Sequence, residues 1–328
     1  MPLCGPRENG SSVRRRDGKA LSSPSSHPST SIKEKQMKAL SFGEILWDVY
    51  PHEKYIGGAA LNFAAHLALH GETVYMLSAL GNDGLGQEAA ERLKAWGIQS
   101  DFVPFLADRP TGRCQVTLDE RSIPSYDLKR DTAYDCIPAR SFGSEFDVLY
   151  FGTLALRGEV NRISLKHVLE TSEFREVFVD VNIRPPFYSE ETVRFALSQA
   201  TIVKISDEEL PTVLKLMGLP SEGDFRQSVQ ELAGRFGNLR TLILTRGGEG
   251  AYAWDCVSQK GYACEAVKTE VRSTVGAGDS FSAAFLHVYM KEKDIASSLA
   301  HASRVAAYVV SQTDAVPDYR PEMFFESF

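Results

Sequence analysis

Val177-Phe178-Val179-Asp180-Val181 and, after an interval long enough for a helix, Ile202-Val203-Lys204-Ile205 are apolar almost without a break. A strand with one wet face alternates apolar and polar residues, whereas a strand covered on both faces does not. Similar runs occur at 39–45, 74–80, 148–151 and 241–245. Helical patterns lie between and after them, at 62–70, 86–96, 280–290 and 295–311. Apolar strands separated by helices predict an α/β fold: a doubly wound, mostly parallel sheet with helices on both faces. Two stretches break the rhythm. Residues about 47–57 and 101–128 read as extended segments without intervening helices, and they predict a small β-sheet projecting from the main domain.

Residues 1–36 are unlike the rest. They are rich in Ser, Pro, Arg and Gly, include Arg14-Arg15-Arg16, and contain no hydrophobic block. Such a segment buries too little apolar surface to offset its ordering entropy, so a disordered leader is expected, followed by one domain over 37–328. It also lacks the apolar core of a secretory signal.

Bulk composition narrows the function. Hydrophobic residues make up 43% and charged residues 24% of the 328, the balance of a chain with a sizeable core. The formal net charge is -7 and the body of the chain has no basic stripe, which argues against nucleic acid as a partner. No apolar stretch is long enough to span a bilayer, so no membrane is expected. Five cysteines, none in C-x-x-C spacing, fit a reducing, cytoplasmic setting better than a disulfide framework or a zinc site. His66 and His70 stand at helical spacing, but no H-E-x-x-H pattern surrounds them, so a metal pair is the weaker reading.

In open α/β sheets ligands bind at the carboxyl ends of strands. The richest such loop is Ser273-Thr274-Val275-Gly276-Ala277-Gly278-Asp279-Ser280-Phe281. Gly276, Ala277 and Gly278 let backbone N–H groups approach an anion at a helix N-terminus, where the helix dipole favours negative charge. Asp279 at that boundary reads either as an N-cap or as a base accepting the proton of an attacking hydroxyl. The loop Thr245-Arg246-Gly247-Gly248-Glu249-Gly250 permits a tight turn or the close approach of a nucleotide. It is not a Walker A loop, and no strand opens into G-x-G-x-x-G, so a nicotinamide dehydrogenase is not supported. Gly57-Gly58-Ala59-Ala60-Leu61-Asn62 leads into a helix, and Asp48 follows the first strand. Asn62 and Asp48 read as caps or turn residues, or as partners for sugar hydroxyls.

In order along the chain, these loops resemble the ribokinase-like (PfkB) carbohydrate kinases over essentially 38–317. The match includes Gly43-Glu44 with Asp48, Gly57-Gly58 with Asn62, Gly81-Asn82-Asp83-Gly84-Leu85-Gly86, Asp180-Val181-Asn182-Ile183-Arg184, Lys204 with Glu209, the Thr245 loop and Gly276-Ala277-Gly278-Asp279. The resemblance implies an ATP-dependent sugar kinase whose small sheet is a lid, with Asp279 as the catalytic base. It places Asp48, Gly57, Gly58, Asn62 and Arg184 at the sugar. Gly276, Ala277 and Gly278 would stabilise the transferring phosphoryl group. Lys204, Ser206, Thr245, Gly247, Gly250, Thr274 and Ser303 would border the nucleotide, and Glu209 would hold water-coordinated Mg2+. A homodimer through the lid is also implied.

Three positions depart from the family pattern: Ser273 and Ser206 replace its usual Asp and Asn, and Asp314-Ala315 replaces Gly-Ala. Ser273 and Asp314 lie on loops that in many members bind an activating monovalent cation such as K+. The expectation is that Asp314 partly replaces the charge missing at Ser273. Gly43-Glu44-Ile45-Leu46-Trp47-Asp48, Tyr150-Phe151-Gly152-Thr153-Leu154-Ala155 and Asn182-Ile183-Arg184-Pro185-Pro186-Phe187-Tyr188 look most like fructokinase-type members. Fructose, phosphorylated at its 6-hydroxyl, is therefore the expected substrate. The alternatives are 2-keto-3-deoxygluconate, whose carboxylate Arg157 and Arg184 could pair, ribose, a nucleoside, or a catalytically silent sugar sensor.

Overall fold

A computed structural model describes residues 36–118 and 124–325. The expected leader up to residue 35 and the part of the projecting segment at 119–123 lie outside the described residues. From Gln36 onward the chain is one compact unit.

The strands β1 (Lys38–Phe42), β2 (Leu46–Val49) and β3 (Lys54–Gly57) lead into α1 (Ala59–Leu69). Then come β4 (Thr73–Leu77), β5 (Leu80–Gly81), α2 (Gly84–Ala95), β6 (Gln99–Phe102), β7 (Phe105–Leu106), β8 (Gly112–Leu118) and β9 (Pro124–Leu128). The middle of the chain holds β10 (Val148–Gly152), α3 (Glu159–Thr171), β11 (Glu176–Asp180), α4 (Glu190–Gln199), β12 (Ile202–Ser206), α5 (Leu210–Leu216) and α6 (Phe225–Ala233). The last elements are β13 (Thr241–Thr245), β14 (Ala251–Asp255), β15 (Lys260–Cys264), α7 (Ala277–Glu292) and α8 (Ile295–Val310).

The main sheet has nine strands in the order β15-β14-β13-β12-β11-β10-β1-β4-β6. Pairing is parallel from β6 through β13, and the β13–β14 and β14–β15 pairings at one edge are antiparallel. Side chains of alternate residues leave opposite faces, which explains the unbroken apolar runs. Ala39, Val148, Tyr150 and Phe178 join α1, α7 and α8 in one core. Leu40, Phe42, Leu149, Phe151, Val177 and Val179 join α3–α6 in the other. The doubly wound expectation therefore holds. No helix of the described residues is long and apolar enough to cross a membrane.

The projecting sheet is separate and four-stranded, in the order β3-β2-β8-β9. The expected second segment, 101–128, needs correction at its start. Gln99–Phe102 is the edge strand β6 of the main sheet, and Phe105–Leu106 pairs with β5, so the small sheet takes chain only from Gly112. Residues Gln99–Asp101 are exposed, and an edge strand wet on both faces carries no apolar signature. The root of the small sheet is pinned by Asp83, whose side chain caps α2 by accepting the Gly86 N–H at 2.8 Å. The same carboxylate accepts from Thr111 N at 2.8 Å and Thr111 Oγ1 at 2.7 Å, just before β8.

Candidate active site

The carboxyl ends of β10, β11, β12 and β13 lie side by side, with Gly152 opposite Asp180, Asp180 opposite Lys204 and Ser206 opposite Thr245. Lys204 is buried and its Nζ lies 3.1 and 3.2 Å from the two Asp180 oxygens. Asp180 also accepts from Ser282 Oγ of α7 at 3.1 Å. Burial works against the Lys204 charge, but Asp180, Glu209 and Asp279 outweigh it and raise its pKa. A Cβ on Gly278 would stand 2.8 Å from this ammonium, so the absence of a side chain there brings the loop backbone directly over Lys204. The pairing of Asp180 with Lys204 is not legible in the sequence, because it depends on the register between two strands.

Gly276, with φ 80°, is the N-cap of α7 and supplies no side chain, and Asp279 falls in the helix's first turn. The cap reading of Asp279 is thereby set aside. Its Oδ2 instead accepts a hydrogen bond from Asn62 Nδ2 at 2.8 Å, across a sequence separation of 217 residues. Asp279 is 9% exposed. Burial pushes its carboxyl above the usual carboxylate range, while the Asn62 bond and the charges of Lys204 and Arg184 pull it back. Of the expected loop donors, Ala277 N–H turns toward the Thr274 carbonyl at 3.3 Å. The amides of Gly278 and Asp279 belong to the first helical turn, which has no intrahelical acceptor for them.

Asn62 is held by α1, whose start is set from a distance. The Glu44 side chain accepts the Ala59 N–H at 2.9 Å, where the N-cap Gly58 has nothing to offer. Gly58 has φ 112°, and a Cβ there would fall 2.5 Å from the Glu44 carbonyl oxygen. Glycine is required at this position on both counts. The helix consequently begins at Ala59, earlier than its apolar pattern predicts. Asp48 lies beside Gly57, its Oδ2 being 3.4 Å from where a Cβ would project. It faces Cys114 across the β2–β8 register. Burial raises the Asp48 pKa and the Arg184 charge opposes the shift. Arg184 is exposed, and its charge also bears on Glu44 and Asp279.

Glu209 links two of the strand ends: Oε1 accepts from Ile183 N at 2.6 Å and Oε2 from Ser206 N at 2.8 Å. Ser206 Oγ accepts the Glu209 N–H in return, at 3.2 Å. Thr245 ends β13 and accepts the Asp207 N–H on its carbonyl. Gly247 and Gly250 adopt positive φ of 47° and 88° in the turn that follows, and Gly250 packs on the Cys264 carbonyl. Thr274 is exposed, and Ser303 is buried on α8, which packs on α7, β14 and β15.

Ser273 Oγ accepts the Val275 N–H at 3.2 Å, and Asp314 is exposed with its charge felt by Tyr55 of β3. The 273–276 and 314–315 loops do meet, but through Gly276, where a Cβ would lie 2.3 Å from the Ala315 carbonyl oxygen. Arg157 is engaged elsewhere: Nε and Nη2 grip the two Asp135 oxygens at 2.7 and 2.8 Å, and its side chain is 3% exposed.

His66 and His70 form no metal pair. His66 Nε2 lies 2.9 Å from the Ala315 carbonyl oxygen and Nδ1 lies 2.8 Å from Tyr319 Oη, while His70 Nδ1 lies 2.7 Å from the His66 carbonyl oxygen. Burial lowers the pKa of His66 to about 4. Among the described residues no cluster of three or more His, Cys, Asp or Glu could hold a metal ion.

Known proteins share this arrangement of sequence and fold. Residues 35–322 match the pfkB family carbohydrate kinases. A protein named probable fructokinase-5 from Arabidopsis thaliana is 25% identical over 312 residues, covering 85% of this chain and 93% of its own length. A 2-dehydro-3-deoxygluconokinase from Thermoproteus tenax is 26% identical over 306 residues, covering 87% and 89%. The crystal structure of a Vibrio cholerae fructokinase, bound to fructose, ADP and calcium, superposes with a TM-score of 0.72 at 22% identity, covering 86% of this chain and 95% of that one. The chain belongs to the pfkB family of carbohydrate kinases and is a phosphotransferase.

Proposed function

We propose that this kinase transfers the γ-phosphoryl group of ATP to the 6-hydroxyl of fructose, with Asp279 as the base. The observation that carries the reading is the buried Asn62–Asp279 hydrogen bond. It joins the helix that follows Gly57-Gly58 to the helix entered through Gly276-Ala277-Gly278, so a hydroxyl held by the first set of residues can meet a phosphate held by the second. Asp279, ionised, takes the hydroxyl proton as the oxygen forms its bond to the γ-phosphorus and the bond to the β-phosphate oxygen breaks. The amides of the first turn of α7 and the Lys204 ammonium under Gly278 stabilise the charge that shifts onto the phosphate oxygens.

Glu209 fits a water-coordinated magnesium ion, since each of its oxygens accepts one backbone N–H and keeps a further lone pair. Such an ion, when bound, neutralises phosphate charge. Asp48, Gly57, Gly58 and Arg184 form the sugar side, and Thr245, Gly247, Gly250 and Thr274 the nucleotide side.

A neutral sugar is favoured over an acidic one because Arg157 is already paired with Asp135. The second reading is 2-keto-3-deoxygluconate, favoured by the exposed Arg184 and by the Thermoproteus relative. A coupled ADP-release assay over fructose, ribose, a nucleoside and 2-keto-3-deoxygluconate tests the choice. Fructose should give the highest kcat/KM. A higher value for the keto acid, lost in Arg184→Met, would transfer the assignment. Sugar-dependent thermal stabilisation without turnover would make the chain a sensor.

A further inference from the structure

Helix α1 holds the α7 loop at a second point, one helical turn beyond Asn62. His66 is fully buried and follows Asn62 at the spacing that places two side chains on one helix face. A carbonyl oxygen can only accept, so the 2.9 Å contact from His66 Nε2 to Ala315 makes Nε2 the protonated nitrogen. In the neutral ring Nδ1 must then accept, and the Tyr319 hydroxyl at 2.8 Å is its donor. Tyr319 is itself 5% exposed and stacks on the His66 ring. The tautomer is therefore fixed from both sides.

The Ala315 carbonyl held in this way is the group against which Gly276 packs. A Cβ at residue 276 would meet Ala315 oxygen at 2.3 Å and its Cα at 2.9 Å, so the backbones touch with no side chain between them. Gly276 in turn sets the left-handed entry to α7 and hence the direction of the first-turn amides and Asp279. A displaced Ala315 would leave Gly276 without its stop. The chain of contacts runs Tyr319, His66, Ala315, Gly276.

We propose that His66 is a positioning residue for phosphoryl transfer, fixing the Gly276–Asp279 loop through the Ala315 carbonyl, with Tyr319 fixing the tautomer of His66. The proposal rests on the reading of that loop as the transfer site. It assigns α1 two tasks on one face: Asn62 orients the base, and His66 braces the loop beside it.

Three variants and two readouts test it. His66→Leu keeps bulk but removes the donor, His66→Gln offers an amide N–H toward Ala315, and Tyr319→Phe removes the tautomer lock. In His66→Leu, kcat should fall about ten- to a hundredfold, the scale on which misplaced groups lose rate, with the sugar KM little changed because Gly57 and Gly58 are untouched. His66→Gln should recover most of the loss, and Tyr319→Phe should fall between the two. Hydrogen–deuterium exchange over 270–281 should accelerate in His66→Leu and return toward normal in His66→Gln. This readout needs no turnover. Unchanged exchange there and unchanged kcat, with only a lower Tm, would overturn the brace. Asp279→Asn measured alongside separates the two ideas: an inactive Asp279→Asn with a normal His66→Leu refutes the brace and leaves the transfer site standing. A fully active Asp279→Asn refutes the transfer site whatever the exchange shows.

Discussion

Replacing Asp279 by Asn removes the proposed proton acceptor while leaving the shape of the site nearly unaltered. Asn62 Nδ2 donates to Asp279 Oδ2 at 2.8 Å, and the amide oxygen of the substituted side chain can occupy the same place. The other end of Asn62 matters too, because Asn62 Oδ1 is buried and has no hydrogen-bond partner. An unsatisfied buried acceptor costs about 1–3 kcal/mol, and the substituted NH2 group is a donor of a kind the carboxylate does not offer. The charge argument has the same sign. Burial raises the Asp279 pKa in the folded chain, so its contribution to stability is full below the unfolded-state value and is lost as pH rises through the folded value. At neutral pH the ionised carboxylate is therefore a net cost, and Asp279→Asn should match or exceed the wild-type Tm. Turnover should behave oppositely. General-base removal lowers kcat by about 10²- to 10⁴-fold, or about 3–5 kcal/mol of activation free energy. The assay is ADP release with the preferred sugar, beside ATP-dependent thermal shifts that report nucleotide binding. The expected result is lost turnover with the ATP shift preserved. Residual kcat within tenfold of wild type would refute Asp279 as the base, and a collapse in Tm would refute the account of the Asn62 contact.

Because burial lifts the Asp279 carboxyl above the ordinary Asp range, kcat/KM should fall on acidification before that range is reached; the falling limb is measured in the stable pH range, and a profile that stays flat until the ordinary Asp range would contradict the ionised-base assignment. We also propose that Asp314 offsets the carboxylate missing at Ser273, so Asp314→Asn should reduce activation by K+ relative to a bulky organic cation; activity indifferent to both the cation and the substitution would remove that idea.

Much of the site could be read from the chain because its parts are local. A glycine loop after an apolar strand announces itself, and the ends of β12 and β13 lie at or one residue beyond the ends of the runs at 202–205 and 241–245. The contacts that turn these parts into a site are not local. Lys204 meets Asp180 through strand register, and Glu44 caps α1 from 15 residues away. Arg157 shows the opposite failure: its sequence position suggests a free cation, yet Asp135, 22 positions earlier, closes a bidentate pair with it. The strands β6, β14 and β15 are hard to read for a different reason. β6 and β15 are wet edge elements, and β14, next to β15, ends in the half-buried Trp254-Asp255, so the pattern that reveals a doubly covered strand is absent from them.

His66 marks the limit of reading by spacing most clearly. Its interval from His70 and its interval from Asn62 are equal, and both satisfy the rule for neighbours on a helix face. Residue chemistry draws attention to the pair of histidines, since two imidazoles suggest a metal. The fold selects the other pair. His70 turns back onto the His66 carbonyl, whereas Asn62 and His66 both reach the segments that flank the α7 N-terminus. What decides between equal spacings is the partner surface, here α7 and the 315–319 segment lying against one side of α1. That surface is assembled from residues far along the chain, as the His66–Tyr319 separation of 253 shows. A helix periodicity can therefore say which residues share a face, but only the packing of α1 on α7 says what that face is for.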